Sequence, residues 1–173
     1  SDHRAGNVEF ICGDWNAFDI EKEEFINAFD LVFAHLTPAI CSAETFEKMI
    51  ACSKRHCALA KPTRRTDPVL EEMKRLAGLE GQKTGSDDAV PYMFDMLWQL
   101  GFCPSIHYRS EAWTAERTLE EAYVWYIGKV KTWKRLQKPE EENLKEYLRS
   151  IAVDGQISER IKTTVVTIIW EKE

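Results

Sequence analysis

Two apolar runs of strand length near the amino end, each broken off by a polar cluster, constrain this chain most. They lie in NVEFICGDWNAFDIEKEEFINAFDLVFAHLTPAI, from Asn7 to Ile40. The first, Val8 to Cys12, runs into Gly13-Asp14-Trp15. The second, Phe29 to Ala34, runs into His35-Leu36-Thr37-Pro38. Short apolar runs bounded by turn residues read as strands buried on both faces, as in parallel sheets covered by helices. In such sheets ligands sit beyond the carboxyl ends of the strands. The expectation is an α/β chain whose chemistry gathers at these two endings.

The remaining segments continue the alternation. Asp19 to Phe25 is a polar, helix-prone connection. Ser42 caps a helix to about Ser53, with Phe46, Met49 and Ile50 on one face. His56 to Ala60 is a third strand that ends in Lys61-Pro62-Thr63-Arg64-Arg65. Asp67-Pro68 opens a helix that stops at Gly78, and Gly78 to Asp88 is a loop. Ala89 to Leu100 is a helix closed by Gly101, and Pro104 to Arg109 is a fourth strand. Thr118 and Glu121 form a capping box for a helix carrying Tyr123, Trp125, Tyr126, Val130 and Trp133. Pro139 opens another helix to about Ile151. Asp154-Gly155 is a turn, and Lys162 to Trp170 is a β-branched final strand. This is one α/β domain. Its opening, Ser1 to Gly6, reads as the tail of a helix, so the chain is expected to be a fragment.

Charge and cysteine usage exclude several partners. The chain has 173 residues, a formal net charge of −6 and five cysteines. An acidic surface repels phosphate backbones, so no nucleic-acid partner is expected. No apolar run reaches the roughly 20 residues that span a bilayer, and no signal peptide is visible, so the expectation is a cytoplasmic protein with no membrane partner. The cysteines are odd in number and form no C-x-x-C, which fits reduced thiols. Cys52, His56 and Cys57 straddle a helix end and a strand start and do not have zinc-ligand spacing, so no metal is expected.

Gly13-Asp14-Trp15, the run Phe29 to Ala34 and the terminal strand together resemble the carboxyl-terminal portion of a class I S-adenosylmethionine (SAM)-dependent methyltransferase. The resemblance implies a partial Rossmann-like sheet, mostly parallel with an antiparallel last strand, and helices on both faces. It implies that Asp14, Trp15 and Ala34 contact the cofactor, Asp14 as acceptor for the adenine amino group. His35 would be a general base and Thr37 would orient the acceptor. Lys61, Arg64, Arg65 and Tyr92 would bind substrate, the cations receiving a carboxylate or phosphate. A turn at Asp14 and a solvated basic strand end are the bland alternatives.

The family's Gly-rich loop after its first strand is missing, since none of the eight glycines forms G-x-G. SAM would therefore be the cofactor of a complete parent enzyme acting on a small-molecule substrate, and this chain an inactive piece of it. The alternative is a non-catalytic α/β binding or interaction module. In the fragment reading, with the family's first two strands missing, the strand Phe29 to Ala34 would have an open edge. That edge is expected to be covered by Val8 to Cys12, or by a second copy of the chain in a homodimer formed by edge pairing or strand exchange.

Overall fold

A computed structural model describes residues 8–82 and 87–172. The helix tail expected at Ser1 to Gly6 and the middle of the Gly78 to Asp88 loop lie outside them. Four strands form one sheet: β1 (Phe29–His35), β2 (Ser53–Thr66), β3 (Ser105–Thr118) and β4 (Gln156–Glu171), in the order β1-β2-β4-β3. β1 and β2 are parallel, with Val32 opposite Cys57 and His35 opposite Ala60. β4 runs against β2, because Lys172 N donates to Arg55 O while Thr163 Oγ1 donates to Thr63 O. It also runs against β3, since Leu119 N, just past the end of β3, donates to Gly155 O just before β4 begins. The last strand is antiparallel as expected, but only the β1–β2 pairing is parallel, so the sheet is mixed and not mostly parallel. The physical reason is insertion: β4 lies between two strands of opposite sense, so both of its ladders are antiparallel.

The chain divides into two compact units. The first comprises the described parts of Ser1–Ala60, Pro91–Ile106 and Thr167–Glu173, and the second those of Lys61–Val90 and His107–Val166. In the first unit, α1 (Ala43–Cys52) is started by Ser42, whose hydroxyl accepts from Thr45 N while Thr45 Oγ1 accepts from Ser42 N. Phe46 of α1 is buried against Trp170, with ring centroids 5.5 Å apart. Lys172 Nζ holds the other end of α1 through Ile50 O and Ser53 O, where the helix dipole favours a cation. α3 (Ala89–Gln99) buries Met93 and Leu97.

The second unit is built on α2 (Pro68–Leu76), a helical run that begins where β3 ends, and α6 (Lys138–Ile151). That run consists of α4 (Leu119–Ala122), a π-helical segment (Tyr123–Ile127) and α5 (Gly128–Lys131), where the sequence predicts one uninterrupted α-helix. Leu70, Met73, Tyr126, Val130, Leu144, Leu148 and Ile157 are at the centre of its core. α2 ends in a Schellman motif: Gly78, at φ 68°, donates to Arg75 O and Leu79 donates to Lys74 O.

The strand expected at Val8 to Cys12 does not form. The segment is irregular and exposed, and Phe10 retains 93% of its accessible surface. A strand needs a ladder partner for its backbone N–H and C=O groups, and apolar residues alone cannot supply one. It therefore does not cover β1, which is terminal in the sheet order and leaves Leu31 and Phe33 each 58% exposed. Asp19 to Phe25 folds into turns, not a helix, because Asp19 Oδ1 accepts from Glu21 N and Lys22 N.

Candidate functional site

The first unit holds the residues expected to meet the cofactor. Asp14 Oδ1 accepts from Asn16 N at 3.0 Å and from Asn16 Nδ2 at 3.2 Å, closing an Asx-turn. The Asn16 backbone N–H, then its side chain, holds the Asp14 carboxyl below the usual carboxylate range. Trp15 stacks on Phe18 and donates Nε1–H to Thr45 O at 3.1 Å. Lys48 Nζ binds Asn16 O at 2.8 Å and Phe18 O at 3.2 Å, so α1 pins this loop by one side chain and one carbonyl. Asp14 and Trp15 are thus used in building the loop.

β1 ends at His35, which is exposed and tilted against Phe33. Leu36 then takes a left-handed φ of 50° and donates its N–H to Ala60 O, turning the chain away. Thr37 Oγ1 accepts from Ala39 N, an internal turn bond. Ala34 is partly buried within β1, and Tyr92 is an exposed residue of α3. No hydrogen bond or ring contact joins Asp14, Trp15 and His35 to one another among the described residues.

The second unit holds the basic end of β2. Lys61, Arg64 and Arg65 all lie within the strand, which the sequence predicts to stop at Ala60. Pro62 also lies within it. It is tolerated because β1 pairs with β2 only as far as Ala60, so no ladder bond is asked of its missing N–H on that side. Arg65 grips buried Asp67 through Nε, at 2.8 Å from Oδ2, and Nη2, at 2.9 Å from Oδ1, and lies over the Trp113 ring. Arg64 has φ 49°, a left-handed conformation unusual for its type, and its N–H donates to Asp87 Oδ1 at 2.8 Å. Thr63 Oγ1 donates to the same oxygen at 2.8 Å.

Thr63, Arg64, Arg65 and Asp87 line a cleft of about 710 Å³ together with Asp67, Glu71, Lys74, Trp125 and Lys129, whereas Lys61 is not part of its lining. Beneath it, Glu159 of β4 is 2% exposed, accepting from Val69 N at 2.7 Å and from Tyr126 Oη at 2.6 Å. Glu159 thereby caps α2, whose own N-cap Asp67 is turned to Arg65 and whose first residue, Pro68, has no N–H to offer. Burial, then the bond to Glu159, pushes the Tyr126 phenol far up. Arg117 lies 4.3 Å over Trp125 and donates to Tyr126 Oη.

The sequence places Trp125 and Tyr126 on a helix and does not single out Asp87 or Glu159. The i,i+4 spacing of Trp125 and Lys129 was the available signal, since it places both on one helix face. Among the described residues, no group of three or more His, Cys, Asp or Glu could hold a metal ion, and no helix is long and apolar enough to cross a membrane. Burial raises the Cys52 and Cys57 thiols above their usual range, which keeps both protonated at neutral pH.

No protein-family model and no curated protein matches the chain. Among solved structures, a candidate methyltransferase from Bacillus halodurans is similar at 11% identity and a TM-score of 0.44. The likeness covers 95% of this chain and 78% of that one. Likeness at this level says nothing about activity.

Proposed function

We propose that this chain is the carboxyl-terminal portion of a class I methyltransferase domain and contributes the acceptor side of its site, with a small molecule as substrate. The strand order carries the reading. β1 and β2 run parallel, and the last strand inserts antiparallel between β2 and β3, as the final strand of that fold does. The pattern of β1 supports it too. Phe29, Leu31, Val32 and Phe33 form a strand suited to burial on both faces, yet β1 is at the sheet edge.

The residues present do not fit SAM on their own. The Asp14 oxygen that would receive the adenine amino group is turned to Asn16, Trp15 is packed on Phe18, and no glycine loop is available for the methionine end. The same Asx-turn favours a second reading, a non-catalytic α/β interaction module.

Calorimetry with SAM and with its demethylated product tests the first reading. The expected result is no saturable binding in the low-micromolar range, because too few contacts remain to offset the entropy of association. Low-micromolar binding would overturn the claim that half of the cofactor site is missing. The coding sequence upstream of the Ser1 codon separates the two readings. A strand ending in G-x-G there supports the methyltransferase portion, whereas an adjacent start codon supports the module.

A further inference from the structure

We propose that the cleft of the second unit binds a small organic anion, a flat ring bearing a carboxylate or phosphate, between Arg64, Lys129 and the Trp125 wall. The inference goes beyond methyl transfer: it needs no cofactor and uses residues of one unit alone. The cleft is large enough for a small molecule and lies at the carboxyl end of β2, where open α/β sheets take ligands.

The charges in the cleft divide unequally. Arg65 is held by Asp67 and Lys74 by Glu71. Asp87 turns one oxygen to Thr63 and to the Arg64 backbone. The Arg64 guanidinium and the Lys129 ammonium have no carboxylate within ion-pair distance among the described residues, although Lys129 rests 5.6 Å from the Trp133 ring centroid. Two cations in a concave, partly apolar site are poised for an oxyanion.

The backbone makes the case specific to Arg64. Left-handed φ is unfavourable for a residue with a Cβ, and such strain persists only where surrounding contacts impose it. Here Asp87 fixes the Arg64 N–H, and Thr163 Oγ1 fixes Thr63 O one residue earlier. Trp125 supplies a rigid apolar surface, its ring held by Arg117 on one side and edge-on to Tyr126, at a centroid distance of 4.7 Å.

The test titrates the isotope-labelled full chain with phenyl phosphate, benzoate and uncharged phenol, and follows the amides of Arg64, Gln82, Asp87 and Lys129 and the Trp125 indole by NMR. Phenyl phosphate or benzoate should shift these signals saturably, and the tighter of the two names the oxyanion. Phenol should not. Arg64→Gly accepts the left-handed φ without strain, so the spectrum of the folded chain should persist while affinity falls about ten-fold or more. Arg64→Lys keeps the charge and loses the fork, and should fall between. Unchanged binding by Arg64→Gly, binding of phenol as tight as that of phenyl phosphate, or shifts still linear at about 20 mM anion would each overturn the proposal.

Discussion

At the scale of single residues, the buried Glu159–Tyr126 pair shows how a polar group is tolerated in a core. The carboxylate has two acceptor sites filled, one by a helix N–H and one by a phenol, so little of its desolvation cost is left uncompensated. Tyr126→Phe removes one donor and should cost about 1–3 kcal/mol near neutral pH, read by urea denaturation. The pH dependence follows from the raised phenol. Its folded-state pKa lies above the ordinary 10.0 of the unfolded chain, so the folded state binds the proton more tightly. That stabilisation is fully present below pH about 10 and is lost as pH rises further. Wild type should therefore lose stability more steeply than Tyr126→Phe above that pH, and parallel curves would show that Tyr126 is not the group responsible. Arg64→Gly should change stability by no more than about 1 kcal/mol, because relief of left-handed strain offsets glycine's added unfolded-state entropy.

At the scale of elements, helix ends are where sequence and tertiary contacts divide the work. α1 and α4 carry capping boxes, Ser42 with Thr45 and Thr118 with Glu121, so their starts are written locally. Ser42→Ala should lower stability by about 1 kcal/mol in thermal denaturation. α2 differs, since the side chain on its first free N–H comes from β4, ninety residues away. The far end of α1 likewise depends on Lys172, which binds Ile50 O, Ser53 O and Asn27 Oδ1. Lys172→Met should destabilise the chain by about 1–2 kcal/mol. It should also speed hydrogen exchange in the last turn of α1 more than in α6. Equal acceleration in both helices would argue for a global effect and against a cap.

At the scale of the whole molecule, the open edge of β1 has the largest consequence. β1 contains no Lys or Pro to discourage pairing, and its apolar side chains are exposed. The polypeptide 1–173 should self-associate with rising concentration in sedimentation velocity. Leu31→Lys and Phe33→Lys should each reduce association while changing stability by no more than about 0.5 kcal/mol, as exposed positions do. A wild-type chain that stays monomeric at about 100 μM would remove edge pairing as its habit.

Local patterns determined much of this protein. The strand Phe29 to Ala34, the capped start of α1, the glycine exits at Gly78 and Gly101, and the Asp154-Gly155 turn are legible because each rests on neighbours in the chain. The basic triad at the end of β2 is legible as a cluster of cations, although its division into a clamped Arg65 and an outlying Arg64 is not. Only tertiary structure decided that Val8 to Cys12 stays irregular, since strand formation depends on a partner and not on the strand's own residues. It also decided that β4 begins at Gln156. Ser158, Glu159 and Arg160 read as polar until Glu159 is seen buried beneath a helix end and a phenol. Hydrogen-bond partners that lie far away in sequence are chosen by packing, and no local pattern records them.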